Sequence, residues 1–256
     1  MRRRLKLILV YDGRAYLGWQ KTRMGASIEQ ALESVVQQIL QEPIQLQAAS
    51  RTDAGVHAEY QVVDFSTLKE NLDLPNFLYS VNSLLPKDIR VIGIDWAENN
   101  FHPTLDNTGK EYHYYVCYGP IQLPQHRNYS WHVPYELDVE LMNQAAEELL
   151  GTHDFSALCN MHNNRDYSNH VRTLQKVTII PIEKNRLRIE IKGEHFLYKM
   201  ARNISGLLVF VGRHKIEVGK VKHILENKER KESGVTAPAH GLFLHRVFYS
   251  DRVVKF

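Results

Sequence analysis

Hydrophobic periodicity spells the same order of elements twice along this chain: strand, helix, strand, strand, helix, strand. In the first half, alternation predicts a strand at about 4–11, with Leu5, Leu7 and Leu9 facing one way. A helix follows over 28–40, where Ser27 and Gln30 form a capping-box pattern and Ile28, Leu32, Val35, Val36, Ile39 and Leu40 form an apolar stripe. Strands are expected at 44–49 and 60–66, a short helix from Pro75, and a strand at 89–95. The second half predicts a Tyr-rich strand at 111–118 and a helix over 139–150 between Asp138 and Gly151. A hairpin of 171–182 and 186–192 turns around Glu183, Lys184 and Asn185. A long, mostly apolar helix at 196–211, a second helix at 217–227 and a last strand at 242–249 complete it.

Strand-helix-strand-strand-helix-strand is the order of the ferredoxin-like unit. The expected fold is therefore α+β: two fused ferredoxin-like units with mainly antiparallel sheets and helices packed on one side. No Pro-, Gly- or Ser-rich linker separates the halves, and the boundary falls near 105. Residues 1–105 form the N-terminal unit and 106–256 the C-terminal unit, and 256 residues suffice for both.

The longest apolar runs, such as Ile204 to Val211, are far below the ~18 residues that a membrane helix needs. The Arg-rich start passes straight into the first strand pattern without a signal-peptide core. Cys117 and Cys159, the two cysteines, exclude a disulfide scaffold and a Cys-rich zinc site. The 13 histidines contain no helical HxxxH pair, so no metal site is read. These features point to a cytoplasmic protein without structural metal. Net charge is only +3, yet it is uneven: +2 over 1–60, −8 over 61–150 and +9 over 151–256. A basic C-terminal part beside an acidic middle is a footprint that suits a polyanion. A surface facing RNA is expected from 1–60 and 151–256, including the cations at 213–231.

Chemistry concentrates in Ala49-Ser50-Arg51-Thr52-Asp53-Ala54-Gly55-Val56-His57-Ala58, between two predicted strands. Small residues and Gly55 permit a tight backbone path near a ligand. Asp53 offers a carboxylate able to act as nucleophile, general base or metal ligand. An Asx turn, with Asp53 bonded to its own backbone, accounts for the same pattern equally well.

The Arg51-to-Ala58 stretch resembles the signature of the tRNA pseudouridine synthase A family. Five further blocks resemble that family in order: Tyr11-Asp12-Gly13 with Gly18-Trp19-Gln20; Lys110-Glu111-Tyr112-His113-Tyr114; Gly151 to Ser156; Phe196 to Gly206 with Met200-Ala201-Arg202-Asn203; and Ala237-Pro238 with Gly241-Leu242. Ser50, His102-Pro103-Thr104 and Lys110-Glu111 depart from its usual pattern.

The resemblance implies an isomerase that converts uridine to pseudouridine in the anticodon stem-loop of tRNA. It works as a homodimer, with no cofactor. By the same likeness Asp53 is the nucleophile, Tyr112 packs against the target base and accepts the C5 proton, and Arg202 pairs with Asp53. Arg51, Arg14 and Lys21 are candidate substrate-binding cations. Arginine suits a carboxylate partner because its guanidinium stays charged and can hold both oxygens. Tyr198 and Arg202 are expected four apart on one helix face.

Two other function classes fit parts of the pattern. A noncatalytic RNA-binding protein would use Tyr112, Tyr114 and the basic half, but gives Asp53 no task. A glycoside hydrolase would need two carboxylates flanking the bond, and only Asp53 has that context.

Overall fold

The computed structural model describes residues 2–160 and 167–250. Helix α1 (Ile28–Leu40) starts where Ser27 Oγ accepts the Gln30 N–H, which satisfies one of the open donors of the first turn. Its buried stripe of Ile28, Leu32, Val35, Val36 and Leu40 is the predicted one. Asp73 caps α2 (Leu74–Leu84) in the same way, and Asp138 caps α3 (Val139–Glu147).

Two units are distinguishable by their internal packing: residues 1–108 with 243–256, and 109–242. In the first, β1 (Arg3–Tyr11) lies antiparallel between β3 (His57–Thr67) and β4 (Ile89–Ala97). The short β2 (Gln47–Ala48) pairs antiparallel with β3. Leu5, Leu7 and Leu9 of β1 are fully buried, as their alternation predicts. The second unit contains β5 (Asn107–Tyr118), β6 (Trp131–Val133), α3, β7 (Gly151–Asp154), β8 (Val171–Glu183), β9 (Arg186–Gly193), α4 (Met200–Gly212) and α5 (Lys220–Asn227). β5, β9, β8 and β7 pair antiparallel in that order, and β6 runs parallel to β5. The class is α+β with mostly antiparallel pairing. Among the described residues, no helix is long and apolar enough to cross a membrane.

The structure departs from the pattern in four places. β10 (Leu242–Tyr249), read as the last strand of the second unit, pairs parallel with β3 through Phe243–His57 and Leu244–Ala58. The strand expected at 44–49 shrinks to two residues. β6 and β7 are too short, at three and four residues, to leave a periodic signal. Helix α4 begins at Met200 rather than 196, because Lys199 takes a left-handed conformation (φ 59°) and Phe196 leaves the helix to pack on Tyr112. Tyr198 therefore lies outside α4 and shares no helix face with Arg202. Helix α4 itself is buried on nearly every side, the expected fate of a helix apolar all round.

Candidate active site

The first unit holds Asp53 at a loop braced from two directions. From one side come Gly13 and Gly18, at the end of β1 and just beyond it. A Cβ on Gly13 would fall 2.0 Å from the Val56 carbonyl oxygen. One on Gly18, at φ +94°, would fall 2.6 Å from the Thr52 carbonyl oxygen. With no side chain in the way, the Trp19 N–H donates to Thr52 O at 3.0 Å. The loop closes on itself where the Val56 N–H donates to Asp53 O at 3.1 Å.

From the other side comes the fully buried Gln61 of β3. Its amide nitrogen donates to Ser50 O at 2.6 Å, and its amide oxygen accepts the Ser50 N–H at 3.2 Å. Thr52 Oγ1 and Tyr11 Oη share a buried hydrogen bond of 2.8 Å. Asp53 is left half-buried at the tip of this cradle. His57 is buried and stacks on Phe243 at 4.4 Å, with Nδ1 beside the Gly13 N–H and the Asp12 carboxylate. The N-terminal glycines and the aspartate stretch, far apart in sequence, thus form one local structure.

A test of this bracing is Gly18→Ala. The added methyl forces the Thr52–Asp53 backbone aside, with an overpacking cost of about 1–3 kcal/mol. A shift of about 1 Å in a reacting group is enough to cost about 10²-fold in rate. Urea unfolding and single-turnover kinetics should show both losses together.

The candidate cations of the first unit differ in setting. Arg51 is exposed beside Asp53. Arg14 Nε donates to both Asp12 carboxylate oxygens at 2.9 and 3.0 Å. Lys21 Nζ lies 2.6 Å from Glu33.

Tyr112 and Arg202 belong to the second unit. Alternation along β5 puts Lys110, Tyr112 and Tyr114 on one face. Tyr112 is 7% exposed, and its ring meets Phe196 edge-on at 4.8 Å between centroids. The Tyr114 hydroxyl donates to Pro238 O at 2.8 Å, and burial pushes it well above the usual tyrosine range. Arg202 Nε donates to Ala237 O at 2.7 Å, while the Ala237 N–H donates to Arg202 O at 3.2 Å. The 237–238 segment therefore ties the start of α4 to the face of β5.

Arg230 holds this segment from behind, donating to Asn203 Oδ1 and Thr236 Oγ1 at 2.8 Å and to Gly234 O at 2.7 Å. The charge pattern placed Arg230 on an RNA-facing surface; instead it turns inward as a structural clamp. Arg213 stacks over Tyr135 at 4.1 Å, and Lys228 pairs with Asp154 at 2.7 Å. Lys215, Lys220, Lys222 and Lys231 remain exposed. Sequence reasoning did not find Gln61 or Arg230 as supports. A polar residue inside an apolar strand was the available signal for Gln61, and nothing local marked Arg230.

The opposite face of β5 carries Glu111 and His113, which gather with Glu190 of β9. Lys176 and Arg188 both pair with Glu190, and Lys176 also reaches Glu111 at 3.7 Å. The cluster is thus an ion-pair network with its carboxylates already matched by cations.

Lys110 is only 8% exposed, and burial pulls its ammonium down from 10.5 to about 8. Between those values the unfolded chain binds the proton that the folded chain has lost. Stability therefore rises with pH through that window, and below it the folded state carries a constant penalty of about 3 kcal/mol. Lys110→Met should be more stable than the parent at pH 7, with the gap narrowing steadily from about pH 8 to pH 10. Denaturant midpoints at the two pH values measure it.

A family model described as tRNA pseudouridine synthase matches residues 145–250. A protein of Protochlamydia amoebophila named tRNA pseudouridine synthase A 2 is 51% identical over 245 residues, covering 96% of this chain and 94% of that one. A tRNA pseudouridine synthase A of a Thermoanaerobacter species is 39% identical over 251 residues, covering 96% of this chain and all of the relative. One from Chlamydia felis is 38% identical over 249 residues, covering 96% and 92%.

Proposed function

The chain belongs to the tRNA pseudouridine synthase A family and isomerises uridine to pseudouridine in tRNA, and on that premise we propose that Asp53 is its nucleophile. The observation that carries this reading is the cradle: two glycines, Gln61 and Thr52 brace the backbone of the loop that carries the half-buried Asp53. Preorganisation of this kind suits a reacting group.

The reaction breaks the N1–C1′ glycosidic bond, turns the uracil and joins C5 to C1′. A proton leaves C5 and another arrives at N1, so substrate and product are isomers and no redox change occurs. Tyr112 stacks on the uracil, and its hydroxyl accepts the C5 proton. Its ring is steadied by Phe196, which favours a fixed stacking surface. Arg202 pairs with the Asp53 carboxylate. Ala237 O accepts from Arg202 Nε, Arg230 holds the neighbouring Asn203 and Thr236, and the family motif supports the pairing.

The target uridines lie in the anticodon stem-loop and must be flipped out, at a cost of a few kcal/mol that stacking helps offset. Arg51, Arg14 and Lys21 contact phosphates, Arg14 and Lys21 after exchanging their present carboxylate partners. The enzyme acts as a homodimer in the cytoplasm, gripping one tRNA. Each of these further assignments rests on the resemblance in sequence and on the residues named.

Tritium release from tRNA labelled at uridine C5 tests the reading. One tritium per pseudouridine is expected, confined to anticodon-arm positions when the product is mapped. Tight binding with no release would leave only a noncatalytic RNA-binding protein.

A further inference from the structure

We propose that Lys110 binds a backbone phosphate of the target nucleotide, beside the base that Tyr112 receives. The inference rests on the stacking role of Tyr112 and assigns the substrate group that its neighbour takes.

A buried ammonium is costly unless an anion accompanies it. Among the described residues the Lys110 ammonium has no ion pair or hydrogen bond, and burial is the one resolved influence on its proton affinity. Lys110 pairs across the sheet with Gly193; Glu194, next to it, is exposed and no ion pair joins it to Lys110, while Glu111 and Glu190 are committed to Lys176 and Arg188 on the other face. Lys110 is also not alone in its sign. His195 is held below its usual range by burial first, and then by the charges of Lys110 and Arg172, against an opposing pull from Glu194. The buried ammonium and Arg172 thus both act on His195, and Lys110 has no anionic partner at its side.

Spacing selects the ligand. Lys110 and Tyr112 are two residues apart on one strand face, about 7 Å at 3.4 Å per residue. A nucleotide whose base lies on the tyrosine ring places its own phosphate on that scale. A lysine is a compact point charge, suited to one phosphate oxygen rather than to a planar carboxylate. Desolvation strengthens the attraction once the phosphate arrives.

The test uses the full-length protein with RNA stem-loops containing one target uridine and one neutral methylphosphonate, moved position by position around it. Lys110→Met should bind the unmodified stem-loop about tenfold more weakly, the scale of one charge-assisted hydrogen bond. Its single-turnover rate at saturation should stay within about threefold of the parent. At one position next to the target, methylphosphonate should weaken the parent about tenfold and the variant not at all. Losses that add at every position would overturn the proposal. So would unchanged affinity with a rate at saturation reduced a hundredfold, which would place Lys110 in the chemistry. Lys110→Gln gives the same comparison if the Met variant does not fold. Absence of tritium release by the parent would sink the synthase reading instead, a result separate from either outcome for Lys110.

Discussion

Asp53→Asn is expected to abolish turnover, by about 10⁴–10⁶-fold, while tRNA affinity stays within a few fold. The amide is nearly isosteric with the carboxylate but cannot serve as the nucleophile. The loop around it is braced by Gly13, Gly18, Thr52 and Gln61, contacts that the substitution leaves in place. Phosphate contacts supply most of the affinity for RNA, and this substitution removes no cation. Single-turnover tritium release and filter binding measure the two quantities, with mass spectrometry to exclude deamidation back to Asp. More than a few per cent of residual turnover would remove Asp53 from the nucleophile role.

Tyr112→Phe is expected to slow product formation about 10²–10⁴-fold with RNA binding preserved, because the ring stays and only the proton-transferring hydroxyl is lost. Its edge-on packing against Phe196 survives the change, so the stacking surface is kept. Tyr114→Phe is the matched control. That hydroxyl donates to Pro238 O, and losing it should cost about 1 kcal/mol of stability with little direct effect on chemistry. Unfolding curves and single-turnover rates for the two variants separate the roles. Equal rates for Tyr112→Phe and the parent would make Tyr112 a stacking platform alone and give the proton to another group.

The same strand shows what periodicity can and cannot say. Alternation put Lys110, Tyr112 and Tyr114 on one side of β5 and Glu111 and His113 on the other. It did not say that the second set would be neutralised by Lys176 and Arg188, or that Lys110 would be buried without an anion. Those partners come from β8, β9 and the following loop, 60 to 85 residues away along the chain. Charge runs were equally silent about direction. Arg230 and Lys231 are neighbours in sequence, yet one clamps Asn203 and Thr236 while the other faces solvent.

Local physics was written plainly in the sequence. Ser27, Asp73 and Asp138 begin their helices because their side-chain oxygens accept first-turn N–H groups, a bond needing only three residues. The apolar stripe of α1 and the alternating leucines of β1 were legible for the same reason, as was the aspartate stretch with its family likeness. Tertiary structure alone decided that β10 lies beside β3 and that α4 starts four residues late so that Phe196 can meet Tyr112. It also decided that Gly13 and Gly18 are bare so that Val56 and Thr52 can approach. Capping and periodicity act within a turn or two of chain. Strand partners, buried charges and backbone clearances are settled between segments tens to hundreds of residues apart, where a residue's neighbours in sequence carry no record of what it will touch.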